Sequence, residues 1–323
     1  MVALITGASS GIGEATAERL AREPGAELVL VARREDRLRQ IASRLPCPAT
    51  WLAIDLTAPD APGRVLAHLQ EHHGRLDLLV NNAGAAWRAE FGEGGWENVR
   101  RTMELNFDAV VRLTEVLLPL LRESAPSSIV NLASTAGRVA RGGSGAYSAS
   151  KFALIGWTDA LHLEEAPNGV HVGSVLPGFI ETEGFPAAEL KARFATRWLV
   201  STPEKAAEAV FEAGPGGEAE RYVPRPYRLV AILRILLPGL TRRVLGGGSA
   251  QVMTTKTGPT PPTPTVGRQT LGRQSAPPDM GRRWPGLSQG GRGRSRRSWS
   301  ARCTARPPPP RSSRRRRPDD RPG

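Results

Sequence analysis

The chain has 323 residues, with 44 basic against 31 acidic side chains and a formal net charge of +13. Residues 259–323 hold sixteen arginines, no lysine or glutamate and three aspartates (Asp279, Asp319, Asp320), so this stretch accounts for the whole excess. Residues 1–258 are neutral and give no reason to expect a polyanionic partner. Two cysteines, Cys47 and Cys303, exclude a disulfide framework and a four-cysteine metal site. No basic stretch followed by a long apolar run opens the chain, so secretion is not expected and a cytoplasmic location is. The longest apolar run, 229–237, contains Arg234 and stops at Pro238, short of the ~20 residues that span a bilayer.

Taken in chain order, short apolar runs at 2–6, 28–32, 50–54, 76–80, 128–132, 170–175 and 221–223 predict strands. Between them, helical periodicity predicts helices at 13–22, 35–44, 65–72, 96–122, 146–165 and 203–212. The last of these starts at Thr202-Pro203-Glu204, a cap residue followed by proline at the first helical position. Strand–helix alternation of this kind predicts an α/β fold: one doubly wound, Rossmann-type domain with a seven-stranded parallel sheet, over residues 1–225. An apolar segment with interspersed arginines, 226–258, is expected to pack on that domain or at an interface. Pro, Arg, Gly and Ser dominate 259–323, which buries too little apolar surface to offset its ordering entropy and is expected to be disordered. Its arginine runs suit nucleic acid or an anionic membrane, but GC-rich or out-of-frame coding is the preferred explanation.

The first strand leads directly into Thr6-Gly7-Ala8-Ser9-Ser10-Gly11-Ile12-Gly13, which opens the first helix. Glycines at Gly7, Gly11 and Gly13 let the backbone turn tightly and approach a pyrophosphate, which the helix N-terminus stabilises. The second strand ends in Ala32-Arg33-Arg34. An acidic residue at this point would bind an adenosine 2′-hydroxyl; two guanidiniums in its place favour a 2′-phosphate, hence NADP(H) over NAD(H). Asp55, with Leu56 after it, follows the third strand and can accept from an adenine amine. Asn82, Ala83 and Gly84 follow the fourth, where small residues let the chain pass close to a cofactor.

The chemical group is Ser134, Tyr147 and Lys151. Tyr147 and Lys151 are four apart at the start of a predicted helix, which sets phenol and ammonium on one face. A free phenol, with a pKa of ~10, is a poor base at neutral pH. A nearby ammonium is expected to lower it and make proton exchange with substrate feasible. Ser134 ends the fifth strand, placed to hydrogen-bond a substrate oxygen where charge develops. The glycine loop, Arg33, Asp55, Asn82, Ser134 and Pro177-Gly178 each follow one of the first six strands in turn. All therefore converge on the carboxyl edge of the predicted sheet, where open α/β folds bind ligands.

Over about residues 1–225 these motifs resemble the short-chain dehydrogenase/reductase family. The resemblance implies an Asn-Ser-Tyr-Lys catalytic set at Asn106, Ser134, Tyr147 and Lys151. It further implies that Lys151 also holds the nicotinamide ribose, that Asn106 helps hold a relay water, and that Pro177, Gly178 and Thr182 contact the nicotinamide. The expected activity is hydride transfer between NADP(H) and a carbonyl or alcohol, with Tyr147 as general acid and base and an apolar substrate. A homodimer or homotetramer is implied, packed through the helices of Asn106 and Tyr147. The substrate loop falls near 183–200, where Phe185, Phe194, Trp198 and Leu199 either line a pocket or pack a covering helix. Segment 227–245 is read as a pocket cap, a subunit contact or a membrane-surface element, with packing or interface preferred. His68, His72 and His73 are expected to face solvent, and no metal site is expected. The alternative function is a non-catalytic nucleotide sensor with a basic interaction tail; its usual mark, loss of the Tyr or Lys, is not seen.

Overall fold

Seven strands make one parallel sheet: β1 (Val2–Thr6), β2 (Glu27–Ala32), β3 (Ala49–Ala53), β4 (Leu78–Asn81), β5 (Ser127–Leu132), β6 (Val170–Pro177) and β9 (Glu220–Val223). Their spatial order is β3-β2-β1-β4-β5-β6-β9. A separate parallel pair joins β7 (Phe179–Ile180) to β8 (Val200–Ser201). The helices are α1 (Gly11–Leu20), α2 (Glu35–Arg44), α3 (Ala61–His72), α4 (Phe91–Met103), α5 (Ala109–Glu123), α6 (Gly145–Glu165), α7 (Pro203–Ala213), α8 (Tyr227–Leu236) and α9 (Pro238–Gly246). This computed structural model describes residues 1–182 and 200–246. The expectations for Phe185, Phe194, Trp198, Leu199 and the 259–323 tail lie outside the described residues.

The sheet is apolar on both faces because alternate residues of each strand meet different helices. Ala3 and Ile5 of β1, with Leu28 and Leu30 of β2, pack against Ala17 and Leu20 of α1, Leu38 and Ile41 of α2, and Val210 of α7. Val2, Leu4, Val29 and Val31 point the other way, against Val65 and Leu69 of α3 and Leu113, Leu117 and Leu121 of α5. Side chains such as Leu4, Leu79 and Leu113 are essentially inaccessible; burial of each is worth roughly 2–3 kcal/mol. With Ile5 opposite both Leu30 and Val80, the central register leaves no free face for chemistry.

The chain reverses direction across the sheet between β1 and β4, and this crevice is braced by side chains. The Thr6 hydroxyl accepts from the Asn82 and Ala83 amides at 2.9 and 3.0 Å. The Asn82 side-chain amide donates to the Thr6 carbonyl at 2.8 Å. Below it, Asn81 donates to Asn131 at 2.9 Å and Asn131 to Thr158 at 2.9 Å, a buried polar chain tying β4, β5 and α6.

Two expectations are corrected. The helix predicted over 96–122 is α4 and α5 separated by a π-helical turn, Glu104–Asp108. One extra residue per turn there rotates Asn106 inward, where it is fully buried. The histidines do not all face solvent. His68 and His73 both contact the Thr50 hydroxyl, and His73 pairs with Glu27 at 2.9 Å, which ties α3 to β2 and β3.

Candidate active site

At the end of β1, Gly7 and Gly11 have φ of 65° and 60°, the left-handed region that glycine tolerates. Gly13 is constrained by space instead: a Cβ there would overlap the Gly7 carbonyl oxygen. The loop is thereby drawn tight against the start of α1. Ser10 occupies the N-cap of α1 without capping through its side chain. The first-turn amides are thus left to an external anion. Ile12 packs partly into the core beneath the loop.

Arg34 reaches from the end of β2 to this loop. Its guanidinium donates to the Ser10 hydroxyl at 2.7 Å and to the Ser9 hydroxyl and carbonyl at 3.2 Å. Arg33 is exposed beside Asp55, whose carboxyl is held below its ordinary range chiefly by the Thr57 amide, with a contribution from Arg33. Leu56 is a core residue. Gly84 lies 3.1 Å (from an ideal Cβ) from the Asn106 amide oxygen and 3.6 Å from the Lys151 ammonium. The Thr182 methyl stands 3.1 Å from the corresponding point on Gly11, so the segment after β7 meets the glycine loop.

The four residues of the expected catalytic set come together beside the ends of β4, β5 and β6. The Asn106 amide is fully used: its oxygen accepts from the Ala85 amide, and its nitrogen donates to the Ala85 carbonyl and the Ser150 hydroxyl. Ser150 in turn donates to the Tyr147 carbonyl at 2.9 Å. The Ser134 hydroxyl donates to the Pro177 carbonyl at 3.3 Å, accepts from the Ala136 amide at 3.1 Å, and lies near enough to the Tyr147 phenol to favour its ionised form. Lys151 is 4% exposed and donates to the Leu132 carbonyl at 2.6 Å, with its nitrogen 5.9 Å from the Tyr147 ring centre. Gly178 is required by packing, since a Cβ would overlap the Tyr227 ring.

The electrostatics differ from the expectation that Lys151 lowers the Tyr147 phenol. Burial pushes that phenol above its ordinary value, opposed by the Ser134 hydroxyl and then by the charges of Arg141 and Arg88. Burial alone pushes the Lys151 ammonium down to about 8. The sequence reading missed both arginines, which lie in the loops before α6 and after β4. No motif marks either position; only the fold brings them to the phenol. Arg141 stacks over the Phe179 ring at 4.6 Å. Among the described residues, no three His, Cys, Asp or Glu side chains gather as a metal site would need.

The short chain dehydrogenase family model matches residues 1–191. This chain belongs to that family, oxidoreductases acting on CH-OH and C=O groups with NAD(P). It is 37% identical over 211 residues to a putative ketoacyl reductase of Streptomyces coelicolor, covering 63% of this chain and 78% of that one. Against a 3-oxoacyl-[acyl-carrier-protein] reductase of Escherichia coli it is 34% identical over 185 residues, covering 56% and 74% of the two chains. An uncharacterized oxidoreductase of Staphylococcus epidermidis is 35% identical over 181 residues, covering 56% and 78%. The residues present fit the family's dinucleotide: a glycine turn with no room for side chains, uncapped helical amides and the Asp55 carboxylate after β3 lie along one edge.

The depressed Lys151 value has a measurable consequence. Unfolded, this amine keeps its proton to a pH of about 10.4, so between pH 8 and that value the unfolded state binds more protons and stability rises with pH. Urea unfolding of cofactor-free protein should show wild type gaining about 1.4 kcal/mol relative to Lys151→Met between pH 7 and 9. A difference that stays flat over that interval contradicts a buried, destabilised ammonium.

Proposed function

We propose that this chain is an NADP(H)-dependent reductase or dehydrogenase in which Tyr147 exchanges the proton with a carbonyl or alcohol oxygen. The observation that supports the reading is the gathering of Ser134, Tyr147 and buried Lys151: the Ser134 side chain acts on the Tyr147 phenol, and the Lys151 nitrogen stands 5.9 Å from the Tyr147 ring centre. When bound, the nicotinamide supplies the hydride in one direction and takes it up in the other. In reduction, Tyr147 gives its proton to the substrate oxygen as the carbon becomes an alcohol, and Ser134 donates to that oxygen as it gains charge. Arg141 and Arg88 favour the phenolate left behind. Lys151 holds the nicotinamide ribose. Asn106 is a positioning residue for the proton relay, since its amide locks the chain after β4 onto α6 through Ala85 and Ser150.

Gly7, Ser9, Ser10, Gly11, Ile12 and Gly13 form the pyrophosphate cradle. Asp55 and Leu56 flank the adenine; Asn82, Ala83 and Gly84 pass along the cofactor; Pro177, Gly178 and Thr182 close over the nicotinamide. Arg33 and Arg34 take the 2′-phosphate, a reading supported by the Arg34 guanidinium already lying on Ser9 and Ser10. The substrate is a carbonyl on an apolar body, in keeping with relatives named as ketoacyl reductases. Assembly as a dimer or tetramer uses α5 and α6, where Phe152 and Leu163 are exposed.

Three measurements test this reading. Tyr147→Phe is expected to lower turnover by at least about a thousandfold across a panel of carbonyl substrates while NADPH binding, followed by fluorescence, stays within about threefold. Near-normal turnover in that variant defeats the assignment; wild-type binding without any turnover favours a nucleotide sensor. Arg33→Asp should weaken NADPH relative to NADH by about tenfold or more, and equal effects on the two would refute the 2′-phosphate role. Removing a cation near the phenol, as in Arg141→Met, should move the acid limb of alcohol oxidation to higher pH. An unmoved profile of kcat/KM against pH would show that Arg141 does not tune Tyr147.

A further inference from the structure

We infer that α8 and α9 form an interfacial anchor that lays this protein on an anionic lipid surface. Helix α8 is apolar on two opposite sides. Tyr227 and Ala231 face inward, against Ala133, Ile155, Leu176 and Tyr222 of the domain. On the other side Leu229, Ile232, Leu233 and Leu236 follow the i, i+3, i+4, i+7 spacing of one helical stripe, and they are 42–68% exposed. Ile235, Leu237 and Leu240 extend the exposed apolar surface around the turn at Pro238 and onto α9. Single exposed leucines are ordinary, whereas seven exposed large apolar side chains between Leu229 and Leu240, four of them on one stripe, require an occupant.

Charge identifies the occupant. Arg225 pairs with Glu212 of α7, whereas Arg228, Arg234, Arg242 and Arg243 accompany these apolar side chains, and no acidic residue occurs between Glu220 and Asp279. A two-fold contact between copies of this face would set these arginines against one another, with no carboxylate from α8 or α9 to pair with them. An anionic headgroup layer presents the complementary charge, and its acyl boundary accepts the leucines. At 10 and 9 residues, the helices reach only about 15 Å each, so they lie in the interface rather than cross it. No helix among the described residues is long and apolar enough to cross a membrane. The hairpin starts at Tyr227, packed on Gly178 beside the candidate active site, so the anchor would set that site near the lipid boundary. The anchor itself does not depend on the proposed chemistry.

The test is sedimentation of the full chain with vesicles of phosphatidylcholine alone or mixed with phosphatidylglycerol. Wild type should partition onto the mixed vesicles, and Leu229→Gln/Leu233→Gln/Leu236→Gln should reduce partitioning at least about tenfold. Arg228→Gln/Arg242→Gln/Arg243→Gln should reduce it comparably at low salt, with the difference shrinking as salt is added. NADPH binding and thermal midpoint should stay at wild-type values, because the substituted leucines are exposed. Should the triple variant fail to fold, Leu236→Gln alone must still lower partitioning. Wild-type partitioning by the leucine variants would assign any binding to the arginine-rich tail and overturn the proposal. Failure of wild type to bind mixed vesicles overturns it too. So does a leucine variant that dissociates an oligomer on size exclusion without changing vesicle binding, which would make a second copy the occupant.

Discussion

Burial of the parallel sheet on both faces is the constraint from which the rest of the molecule follows. Once α1, α2 and α7 cover one side and α3 and α5 the other, no sheet face remains for a ligand. Polar chemistry is confined to the strand ends, where the chain leaves the ladder and its amides become available. The brace between Thr6 and Asn82 sits at the point where strand order reverses, and holds open the crevice between β1 and β4. The glycine loop on one side and the Asn106–Ser134–Tyr147–Lys151 group on the other share this edge for that reason.

Desolvation then sets the character of the Tyr147–Lys151 pair. The same burial that raises the Tyr147 phenol lowers the Lys151 ammonium, so both charged forms are disfavoured before any ligand arrives. The amine is thereby brought nearer to neutral pH, whereas the phenol is moved away from it. Arg141 and Arg88 partly offset the cost for the phenolate, and they do so from loops rather than from the helix that carries the tyrosine. Position also matters at Asn106. A π-helical turn between α4 and α5 aims its amide at Ala85 and Ser150, so a local helical irregularity is converted into a fixed distance between two loops.

Beyond the last strand, the chain changes its relation to solvent. Among the described residues up to Val223, most large apolar side chains are spent on the sheet and its covering helices, with Phe91, Trp96, Phe152 and Leu163 exposed singly; in α8 they face both ways. Tyr227 and Ala231 complete the domain next to Gly178, while the leucines on the opposite stripe remain outside it. Arginines without a single acidic residue in α8 or α9 favour a lipid surface over a core face left uncovered.

Much was legible before any coordinates. Periodicity placed all seven sheet strands, because a strand buried on both faces reads as an unbroken apolar run between turn residues, and strand–helix alternation made them parallel. The glycine turn and the Tyr147–Lys151 spacing are local patterns, set by what a backbone turn or one helical turn allows. Contacts between residues distant in sequence were not legible: Arg141 beside Tyr147, Lys151 on the Leu132 carbonyl, His73 between Glu27 and Thr50. Nor was the π-turn, since one inserted residue hardly disturbs apolar periodicity. The sequence by itself thus determined the fold and the chemical groups that reach its working edge. Only the tertiary structure decided which charges those groups meet, because charge coupling depends on distance and burial, and neither is encoded in spacing along the chain.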